Sequence, residues 1–148
     1  MTSSAPALRC GADLVHIDTV ADLVAGGSPT FATTCWTQAE LIECGNAPRR
    51  LASRWAVKEA VMKTLGQGIG LLAPTDIEVG TDSSGAPHVS LHGPAAVRAM
   101  ALGIDHIAIS LSEDMDYAIA FVVAKATDHV EPDQLPPTPT EVDDGQGS

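Results

Sequence analysis

The chain is 148 residues long, 45% hydrophobic and only 3% aromatic, which fits one domain with a core of Ala, Val, Leu and Ile. No apolar run approaches the ~18 residues that span a bilayer, and Met1 to Cys10 lacks the apolar stretch of a secretory signal, so a cytoplasmic protein without a membrane partner is expected. A formal net charge of −11 excludes nucleic acid as the main partner, because phosphate-backbone binding needs a basic stripe.

In chain order, Leu8 to Ile17 reads as a short strand, with Gly11 breaking its start. Asp18 is placed to cap a helix over Thr19–Ala25, ended by Gly26, Gly27 and Pro29. Thr37-Gln38-Ala39-Glu40 has the T-x-x-E form of a capping box and opens a short helix ending near Gly45. Pro48 precedes the longest helical stretch, Arg49 to Leu65. Gly66 closes it, and the glycine-rich loop Gly66-Gln67-Gly68-Ile69-Gly70 comes next. Asp76–Val79 and His88–Leu91 alternate like strands and are joined by a hairpin turn at Asp82-Ser83-Ser84-Gly85. Pro94 and Gly103 frame a helix over Ala95–Leu102. Ile107–Leu111 and Tyr117–Val123 make a second hairpin about a turn at Glu113–Asp116. The even apolar content of Tyr117–Val123 predicts a strand buried on both faces.

This order predicts an α+β domain over residues 8–125, with a small, mostly antiparallel sheet packed on a long helix. From Ala126 to Ser148 there are six acids, four prolines and no Lys or Arg, which predicts a disordered acidic tail over residues 126–148. Cys10, Cys35 and Cys44 show no C-x-x-C spacing and are expected to be small buried or half-buried apolar residues.

Five of the eight basic residues, Arg49, Arg50, Arg54, Lys58 and Lys63, fall within 15 positions of the long helix. A cationic zone in an acidic chain suits a small polyanion; a solvated helix face laced with ion pairs has the same composition. At about 100° per residue, Leu51, Trp55, Val57, Val61, Met62 and Leu65 form a broad apolar arc. Glu59 and Lys63 stand together elsewhere on the wheel, flanked by Ala52 and Ala56. That pattern is either an i,i+4 ion pair or a ligand site for which the alanines leave room. Arg54 and Lys58 are like charges one turn apart, which costs stability unless an anion lies between them. The loop glycines follow a helix instead of opening one, so this is neither a dinucleotide motif nor a P-loop.

Gly11-Ala12-Asp13-Leu14-Val15, Trp36-Thr37-Gln38-Ala39-Glu40-Leu41 and, above all, Leu51-Ala52-Ser53-Arg54-Trp55-Ala56-Val57-Lys58-Glu59-Ala60 carry a resemblance. With Lys63 and Gly66-Gln67-Gly68-Ile69 they resemble the holo-acyl-carrier-protein synthase family, the small class of 4′-phosphopantetheinyl transferases. Asp76–Val79, Gly85-Ala86-Pro87 and Ser110-Leu111-Ser112 follow in the family's order, so the resemblance runs from Leu8 to Ala124.

The resemblance implies a phosphopantetheinyl transferase-like fold and a Mg²⁺-dependent reaction. Phosphopantetheine would pass from coenzyme A to a serine of an apo acyl or peptidyl carrier protein, releasing adenosine 3′,5′-bisphosphate. On the matched positions Asp13 and Glu59 are the implied metal ligands and, with Lys63, the implied catalytic residues. Arg54, Lys58, Lys63, Gly66, Gly68 and Ser112 are implied to hold coenzyme A. Such a set suits the chemistry, since Mg²⁺ is usually held by one or two carboxylates plus substrate phosphate and phosphoryl transfer rests on positioning and charge neutralisation. Longer superfamily members carry a second acid two residues after the first, where this chain has Val15. A homotrimer with its site between subunits is also implied. Two departures stand out: Glu113 follows Ser110-Leu111-Ser112 where the family usually has His, and Asp18–Leu23 lacks the family's carrier-docking arginines. They sustain a second expectation, a non-catalytic relative that binds coenzyme A or a carrier protein.

Overall fold

Residues 7–127 are described by a computed structural model. The elements run β1 (Ala7–His16), α1 (Ile17–Gly26), α2 (Phe31–Cys35), α3 (Gln38–Cys44), α4 (Pro48–Leu65), a 3-10 turn (Pro74–Asp76), β2 (Ile77–Thr81), β3 (Pro87–Leu91), α5 (Gly93–Ala101), β4 (Ile104–Glu113) and β5 (Tyr117–Ala126). The expected tail lies outside the described residues from residue 128 onward, and Ala126 is the last residue of β5.

The sheet order is β1-β5-β4, antiparallel throughout, and β2 and β3 form a separate antiparallel pair. The architecture is α+β, as expected. One face of the three-stranded sheet packs against α4. The small side chains of Ala118, Ala120 and Ala124 in the central strand, with Ala52, Ala56 and Ala60 on the helix, are fully buried. They let the two backbones approach closely, while Leu51, Val57, Val61 and Leu65 fill the remaining space. Ala52 and Ala56 therefore leave no room for a ligand; the sheet takes that room.

Three local expectations change. Gly11 does not break β1; it sits inside the strand, where a Cβ would stand 2.2 Å from the Ala60 carbonyl oxygen and 2.6 Å from Thr64 Oγ1. Only glycine fits so close to α4. Asp18 is not a cap: α1 starts at Ile17, whose amide donates to the Asp116 carbonyl (2.8 Å), and Asp18 lies in the first turn, favourably placed for the helix dipole. β5 is not buried on both faces, for Tyr117, Ile119, Phe121 and Val123 are exposed while their neighbours are buried. The helix covers only one side of this sheet, so an apolar sequence yields an alternating exposure.

Other expectations hold. Thr37 and Glu40 form the reciprocal capping box, Gly66 ends α4 in the left-handed region at φ 69°, and Asp82 Oδ1 accepts from the Ser84 and Ala86 amides in the β2–β3 turn. The short helix α2 has no counterpart among the expected elements. Cys35 and Cys44 are buried, but Cys10 is exposed on the outer face of the sheet. No helix among the described residues is long and apolar enough to cross a membrane.

Candidate active site

The close approach at Gly11 fixes where the next residues of β1 meet the helix. Asp13, two residues on and on the same face, meets α4 near its C-terminal end. Lys63 Nζ donates to Asp13 Oδ1 (2.8 Å) and to the Ala12 carbonyl (2.9 Å). Glu59, one turn earlier, faces the same cluster. Burial pushes its carboxyl up from the ordinary range, the charge of Asp13 adds to that, and Lys63 opposes both. The sequence pair Glu59–Lys63 is thus part of a three-residue cluster in which Lys63 binds the distant acid.

Beside the cluster lies a pocket of about 190 Å³ lined by Glu59, Met62, Lys63, Gly66, Gln67 and Gly68. Asp13, Glu59, Lys63, Gly66 and Gly68 are therefore brought together. Among the described residues no group of three or more His, Cys, Asp or Glu side chains converges, so a divalent cation here would draw its remaining ligands from water and substrate. Two carboxylates in mutual repulsion beside an open pocket fit a hard cation of that kind.

Lys58 is elsewhere. Its side chain is fully buried, pairs with Glu40 Oε2 (2.8 Å), and donates to the carbonyls of Pro74 (2.8 Å) and Ile77 (2.5 Å). All three ammonium donors are consumed, so Lys58 cannot hold coenzyme A. Arg54 turns away to Glu43 Oε1 (2.9 Å) and Thr81 Oγ1 (3.1 Å). The like charges at positions 54 and 58 are satisfied by separate partners, and no anion is needed between them.

Arg54 lines a second pocket, of about 320 Å³, with Glu43, Arg50, Ser53, Thr81, Leu111 and Glu113. Its Nε is buried without a hydrogen-bond partner among the described residues. Glu113 accepts from Arg49 Nη1 (3.2 Å) and from Ser53 Oγ (3.2 Å), so the residue at the usual histidine position is tied to the N-terminal half of α4. Ser112 stands on the exposed outer face of β4, opposite Ile119, on the other side of the sheet from Asp13 and Glu59. A third pocket, apolar and about 180 Å³, lies beside α1 between Val20, Leu23, Phe31, Cys35, Trp36 and Trp55. Sequence reasoning missed the buried partnership of Glu40 with Lys58, since T-x-x-E signals only the cap. It also passed over Arg9 and Arg98, which close the end of α4.

The sequence model of the 4′-phosphopantetheinyl transferase superfamily matches residues 9–122. A holo-[acyl-carrier-protein] synthase of Herpetosiphon aurantiacus is 45% identical over 123 residues, covering 78% of this chain and 97% of that protein. The crystal structure of the holo-[acyl-carrier-protein] synthase from Neisseria meningitidis superposes with a TM-score of 0.71 at 32% identity, over 78% of this chain and 96% of the other. The coenzyme A complex of a synthase from Chronobacterium ammoniagenes gives a TM-score of 0.73 at 29% identity, over 81% and 98%. The chain belongs to the 4′-phosphopantetheinyl transferase superfamily, and within it to the holo-[acyl-carrier-protein] synthases.

Proposed function

We propose that this chain transfers 4′-phosphopantetheine from coenzyme A to a serine hydroxyl of an apo acyl or peptidyl carrier protein in the cytoplasm, with Mg²⁺ held by Asp13 and Glu59 and adenosine 3′,5′-bisphosphate released. The convergence of Asp13, Glu59 and Lys63 beside the pocket at Gly66 and Gly68 carries this reading. The bound Mg²⁺ would neutralise charge on the pyrophosphate. Lys63 orients Asp13 through its 2.8 Å contact and presents its remaining N–H to an arriving phosphate. Gly66 and Gly68 present backbone without side chains, so that the phosphates can approach closely.

The reaction unit is proposed to be a homotrimer. Two observations support that. The outer sheet face exposes Leu8, Leu14, Tyr117, Ile119, Phe121 and Val123, an apolar surface that a lone domain would leave in water. The Arg54 pocket is also separated from Lys63 by nine residues of α4, about 13 Å along the axis, so one protomer offers two half-sites. Coenzyme A between subunits would touch the Lys63 half of one and the Arg54 half of its neighbour. Arg54, which lines that second pocket, is then a coenzyme A ligand once its guanidinium turns from Glu43 and Thr81 toward the pocket.

The test is incubation with coenzyme A, Mg²⁺ and an apo carrier, followed by mass spectrometry of the carrier. A gain of one phosphopantetheine on a serine, abolished by Glu59→Ala, is expected. Coenzyme A binding with no gain on any carrier would leave the non-catalytic alternative standing.

A further inference from the structure

At the C-terminal end of α4, about Gly66, two guanidinium groups meet. Arg9 Nε donates to the Thr64 carbonyl (2.7 Å), and Arg98 Nε donates to the Leu65 carbonyl (2.9 Å). Each arginine is thus fixed at its Nε by a helix-end carbonyl, leaving its Nη donors directed past the helix. Gly66 lies between them: a Cβ there would be 3.4 Å from Arg9 Nη2 and 3.6 Å from Arg98 Nη2. Both nitrogens therefore address one point above a residue that carries no side chain.

Among the described residues neither arginine forms an ion pair, although Arg49, Arg54, Lys58 and Lys63 of α4 each find a carboxylate. The partial charge of two carbonyls does not offset two full positive charges. Burial and the neighbouring Arg9 both disfavour the charged state of Arg98. A single carboxylate would cancel one charge of the pair. A terminal phosphate monoester or free phosphate, carrying about −1.5 to −2 at neutral pH, cancels both and offers oxygens to two planar forks.

We propose that Arg9 and Arg98, across Gly66, form a binding site for a phosphate group. Its two sources are a phosphate of coenzyme A reaching over from the adjoining pocket, which Gly66 also lines, and free inorganic phosphate. The site itself stands apart from the transferase reading; only supply by coenzyme A rests on it.

The experiment titrates the full chain with inorganic phosphate and with pyrophosphate by calorimetry, beside an Arg9→Lys/Arg98→Lys variant. Lysine keeps the charge but loses the fork. The expected result is a loss of phosphate affinity of about tenfold or more, the scale of charge-assisted hydrogen bonds. Should the double variant fail to fold, the two single variants, each retaining one helix-end contact, carry the same measurement. Coenzyme A kinetics then separate the sources: a raised KM with unchanged kcat assigns the site to coenzyme A, and an unchanged KM with lost phosphate binding assigns it to free phosphate. Equal phosphate affinity in parent and variants, or no phosphate binding by the parent, overturns the site. A parent that binds phosphate through Arg9 and Arg98 but arms no carrier would overturn the transferase reading alone.

Discussion

Glu59 is the residue whose surroundings oppose its own charge. Burial first, and Asp13 second, raise its carboxyl above the ordinary range. Between the unfolded value and this raised folded one, the folded chain keeps a proton that the unfolded chain has released, so stability falls as pH rises through that window. With a chelator present, Glu59→Gln should raise the melting temperature at neutral pH. The gain should vanish below the ordinary carboxylate range, where both forms are neutral, while transfer is lost at every pH. A variant that melts with the parent at neutral pH would contradict the strain assigned to this carboxylate. Gly11 sets the geometry that Glu59 shares with Asp13. A methyl group placed 2.2 Å from the Ala60 oxygen must push β1 off α4, so Gly11→Ala should cost about 1–3 kcal/mol by overpacking. It should also lower kcat more than the stability loss alone explains, because Asp13 moves with the strand; denaturant unfolding alongside kinetics would show whether it does.

At the scale of elements, one buried ion pair joins four segments. Glu40 caps α3 by accepting from the Thr37 amide (2.8 Å), holds β2 by accepting from the Val79 amide (2.9 Å), and meets Lys58 of α4 (2.8 Å). Lys58 in turn ties the 3-10 turn through the Pro74 carbonyl. Glu40→Ala leaves the ammonium without a counter-charge and should cost about 3–5 kcal/mol, measured by urea unfolding. Glu40→Leu with Lys58→Met should recover part of that, since no buried charge remains, though the Thr37 and Val79 amides stay without their acceptor. A Glu40→Ala chain as stable as the parent would refute the clamp. This clamp also lies at the limit of what the sequence makes legible. The Thr37–Glu40 capping box, the Gly66 stop, the β2–β3 turn and the convergence of Asp13, Glu59 and Lys63 were legible because each depends on local spacing or on a family motif. The cap expected at Asp18 was misplaced, since that residue lies inside the first turn of α1. That Lys58 faces inward depends on a carboxylate 18 positions away, and the same K-E dipeptide reads equally well as two ligands. Gly11 is ambiguous for a related reason: a glycine in a strand signals either a break or a close approach, and only the packed helix decides between them.

For the molecule as a whole, the outer face of β5 is decisive. Its residues look like the inside of a protein, yet Phe121 is 56% exposed and Leu14 60%, and α4 occupies only the opposite side. The proposed trimer removes this surface from water, and about 25 cal/mol per Å² of apolar area makes that a driving force polar rim contacts need not supply. Cys10 reports on it directly. It sits on β1 opposite Val123, on this same outer face, and is exposed in the single chain, whereas Cys35 and Cys44 are buried with their thiols pushed up by that burial. Phe121→Glu places a charge at the centre of the apolar face and should give a monomer by light scattering, with transfer activity lost because the two half-sites no longer meet. A thiol reagent near neutral pH should then modify Cys10 rapidly in the Phe121→Glu monomer and slowly in the parent assembly, with Cys35 and Cys44 slow in both. Rapid labelling of Cys10 in a fully active parent would mean that subunits do not join through this face.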